Sequence, residues 1–105
     1  MARFNFVVYS NPASGREVEY SDWYCNRHLR DLRAMPGIVG ARRFKLADTQ
    51  IRDSAPTHKY LAIYEIEADD INTFINDLME RSADGRIQRS TAMSTDANPW
   101  SWEEI

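Results

Sequence analysis

The stretch SDWYCNRHLRDLRAMPG, residues 21–37, holds the side chain best suited to chemistry: His28, four residues after Tyr24 and four before Leu32. On a helix that spacing puts all three on one stripe, so the imidazole is half inside. Imidazole titrates near neutral pH and can take a proton from a carbon or hydroxyl and return it elsewhere on the same substrate. An isomerase or a lyase needs little more. The competing reading is a ring that only hydrogen-bonds a neighbouring hydroxyl or carbonyl, as buried polar groups must.

Such a reaction develops negative charge on a carbonyl or carboxylate, and donors aimed there in a water-poor pocket speed it. Tyr9, Tyr24, Tyr64 and Arg43 are the candidates, Arg43 as a fork onto a substrate carboxylate. The ordinary alternative for Arg43 is a solvated or salt-bridged strand residue. His58 sits at a loop edge, where a histidine is usually just solvated. Cys25 is the only cysteine and reads as a small buried hydrophobe without a role. Trp100 and Trp102 are expected to divide their work, one lidding the pocket and the other locking a dimer.

Composition removes several classes. A chain of 105 residues has the length of one small domain, so 1–105 is expected to form one core. With 43% hydrophobic and 28% charged residues, neither disorder nor a fibrous structure is attractive. A net charge of -3 argues against the dense basic face that nucleic acid requires. Apolar runs too short to span a bilayer, and an N-terminal segment without a small-residue cleavage site, point to a cytoplasmic protein with no membrane partner. One cysteine and two scattered histidines make no zinc pattern, so no metal is expected.

Elements must hold these side chains in place. FNFVVY (4–9) is aromatic and β-branched, a first strand. SNPASGREVE turns the chain, and Ser21 reads as the N-cap of a helix starting near Asp22, with Tyr24, Leu29, Leu32 and Met35 as its buried stripe and MPG as its end. A second strand follows at 38–46, and HKYLAIYEIE is a third, with Tyr60, Ala62 and Tyr64 on one face and Leu61, Ile63 and Glu65 on the other. DDINTFINDLMERSADG places Ile71, Phe74, Ile75, Leu78 and Met79 on a second helical stripe that stops at Gly85. QRSTAMS reads as the last strand, before a docking tail.

The order βαββαβ is that of an α+β, ferredoxin-like sandwich: an antiparallel sheet with two helices on one face. Its other face would still carry apolar and aromatic side chains. The economical cover for so short a chain is a second copy, hence a homodimer.

SDWYCNRHLRDLRAMPGIVGARRFKLA followed by YLAIYEIE resembles the dimeric α+β barrel superfamily, and within it the EthD-like group. Trp23, Tyr24, His28, Pro36, Gly37 and Arg43 occupy the positions that carry the likeness. The resemblance implies a small catabolic enzyme whose helix-one histidine lines a pocket between sheet and helices. The leading expectation is a cofactor-independent isomerase acting on a carboxylate-bearing metabolite of aromatic catabolism, with His28 as acid and base. The alternatives are a cofactor-free monooxygenase, a dehydratase or lyase, and a non-catalytic dimer that binds a small molecule.

Overall fold

The computed structural model describes residues 2–105. Strand β1 (Ala2–Ser10) leads into helix α1 (Glu17–Trp23), a π-helical turn (Tyr24–His28) and helix α2 (Leu29–Arg33). Strands β2 (Ile38–Lys45) and β3 (Tyr60–Ala68), helix α3 (Ile71–Asp84) and strand β4 (Asn98–Glu103) complete the order. The sheet runs β2-β3-β1-β4 with every neighbour antiparallel, which is the ferredoxin-like arrangement read from the sequence.

The first helix begins five residues before the expected start at Asp22. Ser21 is a helical residue rather than a cap, and Arg16, the residue that does precede the helix, makes no side-chain cap. Glu17 and Glu19 in the first turn favour the helix dipole, and Arg16 pairs with Glu19. The early start places Tyr20 one turn before Tyr24, and both are sealed, at 0% and 1% exposure.

Trp23, Tyr24, His28 and Leu29 all keep right-handed helical angles, so α1, the π turn and α2 form one rod. A π turn accommodates one extra residue, and the buried positions register it: Tyr24 is followed into the core by Leu29, five residues on, and not by His28. His28 is therefore turned to the flank of the stripe, half-buried, instead of sharing its centre as the four-residue spacing predicts. The rod ends where Gly37 adopts a φ of +95°, and a Cβ there would lie 3.3 Å from the Glu67 carbonyl oxygen.

Residues directly opposite on antiparallel strands share a face, so the register sorts the sheet. Phe4, Phe6, Ser10, Ala41, Ala62, Tyr64 and Ile66 are buried beneath the helices with Leu29, Leu32, Met35 and Phe74. In α3 only Phe74 is fully buried, its ring edge-on to Phe6 at 5.8 Å; Met79, expected on the inner stripe, is 66% exposed. Met79 lies at the outer margin of a stripe that Ile71, Ile75 and Leu78 only half bury.

The last strand is not QRSTAMS, of which only Met93 makes an isolated bridge to Pro12, but the tail itself. β4 aligns Trp100 with Val7 and Trp102 with Asn5. Residues two apart on a strand point the same way, so both tryptophans lie on the face away from the helices and do not divide between lid and interface. There they join Val7, Tyr9, Phe44, Leu61 and Ile63, with 54% and 57% of their own surfaces exposed. No helix among the described residues is long and apolar enough to cross a membrane.

Candidate active site

The side chains with chemical capacity gather where the π turn crosses β2 and β3. Arg43 points from β2 toward the helices, and its guanidinium carbon lies 4.6 Å from the Tyr24 ring centroid, 5.1 Å from Tyr20 and 5.5 Å from Tyr60. These are cation–π distances, and they replace the solvated or salt-bridged setting usual for a strand arginine. The Nη1 donor reaches Cys25 Sγ at 3.3 Å, while Nη2 is buried without a hydrogen-bond partner. Cys25 is exposed at the lip of this cage, not the small buried hydrophobe expected. It faces outward because only Tyr24 of the π turn is directed into the core.

Beneath the guanidinium the tyrosine hydroxyls find each other. Tyr20 Oη lies 2.6 Å from Ser10 Oγ, and the Tyr64 hydroxyl points to that of Tyr24 over a long 3.4 Å. Burial pushes the Tyr24 phenol up to about 12, and Tyr64 is raised well above its ordinary value, again chiefly by burial. Both are neutral donors throughout the physiological range.

His28 also packs on Tyr24. Its ring stacks on Trp23, centroids 4.6 Å apart, and meets Tyr24 edge-on at 4.9 Å. Burial lowers its pKa to about 4, partly opposed by the negative charge of Asp31. The imidazole is thus neutral at pH 7, and its Nδ1 is buried with no partner. Trp23 in turn is fixed by a hydrogen bond from Nε1 to the Gln88 carbonyl at 3.1 Å.

Of the residues singled out from sequence, Tyr24, Tyr64, Arg43 and His28 form one contiguous cluster. Tyr9 and His58 do not join it. They lie together beside the open face, ring centroids 6.2 Å apart, lining a cleft of about 230 Å³ with Phe44, Leu61 and Tyr60. His58 is not solvated: only 13% of its side chain is exposed. Its Nε2 is 2.7 Å from the Asp96 carbonyl oxygen, which can only accept, so Nε2 donates there, and Nδ1 lies 3.1 Å from the Thr57 hydroxyl.

A larger cleft of about 980 Å³ opens beneath the segment 46–59, bordered by Asn11, Glu17, Lys45, Arg52, Lys59 and Tyr60. His28 lines neither cleft; Tyr60, the outer wall of the arginine cage, borders both. Tyr20, Tyr60 and Cys25 are the site residues that sequence reasoning missed. A helix started at Glu17 would have put Tyr20 on the stripe, one turn before Tyr24.

The ferredoxin-like fold is shared with a set of solved structures of low sequence identity. A Dabb-family protein from Mesorhizobium loti superposes with a TM-score of 0.68 at 13% identity, covering 100% of this chain and 99% of that one. An EthD-family protein from Bacillus halodurans gives a TM-score of 0.62 at 14% identity, with 100% of both chains covered. A heme-degrading protein from Mycobacterium tuberculosis, solved with two hemes in its active site, gives 0.67 at 14% identity over 97% of this chain and 95% of that one. No protein-family model and no curated protein matches the sequence.

Proposed function

We propose that this chain is a small cytoplasmic enzyme that moves a proton on an organic acid, an isomerase by reaction type, with Arg43 holding the acid and His28 serving as acid and base. The observation that carries this reading is the position of Tyr24. Its ring centroid lies 4.9 Å from that of His28 and 4.6 Å from the guanidinium carbon of Arg43. A neutral imidazole that can accept a proton, the neutral Tyr24 phenol whose own proton is uncommitted, and a cation therefore share one water-poor cluster. Trp23 covers one face of the imidazole, which stays half-buried. The arrangement supplies proton transfer and charge stabilisation from its own side chains, and the likeness to a heme-degrading protein supports an enzymatic use of the fold.

A second copy of the chain covers the open face in this reading, because Trp100, Trp102 and Phe44 are otherwise left exposed on it. The test is exchange of carbon-bound hydrogen for deuterium, followed by NMR over a panel of enolisable and unsaturated acids. His28→Ala is expected to fold and to lose at least the ~100-fold that a positioned acid–base group contributes. A variant as active as the wild type removes His28 from the mechanism and leaves a non-catalytic binding protein. Oxygen consumed in step with turnover replaces the isomerase with an oxygenase.

A further inference from the structure

We infer that the Arg43 cage is a selective site for a monocarboxylate with an apolar body, admitted from the large cleft past Tyr60. This rests on the proton-transfer reading for its purpose and deepens it by naming the class of acid.

Arg3, Arg16, Arg27, Arg42, Arg81 and Arg86 each pair with a carboxylate. Arg43, like the exposed Arg30, Arg33, Arg52 and Arg89, pairs with none among the described residues, but it alone of these is enclosed, with Nη2 sealed from solvent. Three ring faces offset part of the desolvation of a guanidinium, but they satisfy no N–H. A buried donor of a charged group left unmade is costly, and an anionic oxygen is the group that removes the cost.

Donor counting then sets the class. Nη1 donates to Cys25, the Tyr20 hydroxyl is engaged with Ser10, and the Tyr64 hydroxyl donates to that of Tyr24. Nη2 and the Tyr24 hydroxyl proton remain as open donors, beside one positive charge. That matches a single carboxylate and falls short of a phosphate dianion, which calls for several donors. The rest of the lining is aromatic ring, so the body of the ligand must be apolar.

Access is set by Tyr60. Tyr20 and Tyr24 are fully buried, whereas Tyr60 is half-buried at the first residue of β3 and borders the cleft. It is the wall that can swing. The cleft mouth carries Lys45, Arg52 and Lys59 but also Glu17, Asp48 and Asp53, so selection for an anion falls to Arg43 and not to the entrance.

Calorimetric titration of the full chain with benzoate, benzamide and inorganic phosphate decides the matter, with near-UV circular dichroism reporting on the tyrosines. Benzoate is expected to bind once per chain and to perturb the tyrosine signal. Benzamide and phosphate should bind at least ~10-fold more weakly, the scale of one charge-assisted hydrogen bond. Arg43→Gln should lower benzoate affinity to that of benzamide, and Arg43→Lys, which keeps the charge but not the fork, should fall between. Equal affinity for the three probes, no benzoate binding to the wild type, or Arg43→Gln binding benzoate as the wild type does would overturn the assignment. Should Arg43→Gln fail to fold, the wild-type comparison of probes still decides. Benzoate binding that needs Arg43, alongside turnover indifferent to His28, defeats the proton-transfer reading alone; His28-dependent turnover without Arg43-dependent binding defeats the substrate class alone.

Discussion

Replacing Trp100 and Trp102 together with glutamate is expected to leave the chain folded and to abolish the dimer proposed for it. Within one chain these indoles are 54% and 57% exposed, on an edge strand that pairs only with β1. Their loss therefore costs the isolated fold little. Between two copies the cost is large, because a two-fold interface contains every substituted position twice. A buried interface tryptophan commonly contributes ~2 kcal/mol or more, so four of them represent on the order of 8 kcal/mol. Non-additivity that halves this figure still raises the dissociation constant ~1,000-fold. Sedimentation velocity over a dilution series measures it, with Trp100→Thr and Trp102→Thr as β-compatible variants that remove the indoles without adding charge. A wild type that sediments as a monomer, or a glutamate variant that dimerises undiminished, shows that this face is not where copies meet.

The same tryptophans show how far the sequence is legible. Alternation in YLAIYEIE sorts Tyr60, Ala62 and Tyr64 onto one face, which the structure turns to the helices, because a strand buried on one face reports its period directly. β4 is opaque for the opposite reason. NPWSWE has every residue exposed in the single chain and offers no inside to contrast with an outside, so a polar stretch upstream reads equally well as the last strand.

The rod of α1, π turn and α2 was legible as a helix but not in phase. Tyr24 and Leu29 stand five apart in a stripe whose later members stand three apart, and that irregularity is the mark of the extra residue. Reading through it at a constant α period places His28 on the stripe with Tyr24 and Leu32, whereas the π turn delivers it, still half-buried, to the flank against Trp23. Arg43 was nameable from its fork chemistry and from the position it holds in the family likeness. The cage around it was not, because Tyr20 arrives from a helix turn hidden by the wrong starting residue, and Tyr60 from the far end of a fourteen-residue connection, 46–59.

Acidification is expected to destabilise the folded chain through His28, and replacing that residue with phenylalanine should remove the effect. Burial holds the folded imidazole at about 4, against an ordinary value of 6.5, with Asp31 partly opposing the shift. Above pH 6.5 both folded and unfolded chains carry His28 neutral, so its contribution is fully present. As pH falls from 6.5 toward 4, the unfolded chain takes up the proton and the folded chain does not, so stability is lost across that window. About two and a half units at ~1.4 kcal/mol each gives a loss of ~3 kcal/mol, a large part of the stability of a domain this size. Other groups titrate in the same range, so the informative quantity is the difference between wild type and variant. His28→Phe keeps an aromatic ring against Trp23 and removes the unpartnered Nδ1, so near pH 7.5 it should be at least as stable as the wild type. Urea midpoints for the two proteins should then diverge steadily on going to pH 4.5, the wild type falling faster. Parallel curves would mean that the imidazole is hydrated in solution and that the Trp23–His28 stack opens readily, which would make the route to His28 easier than the closed packing implies.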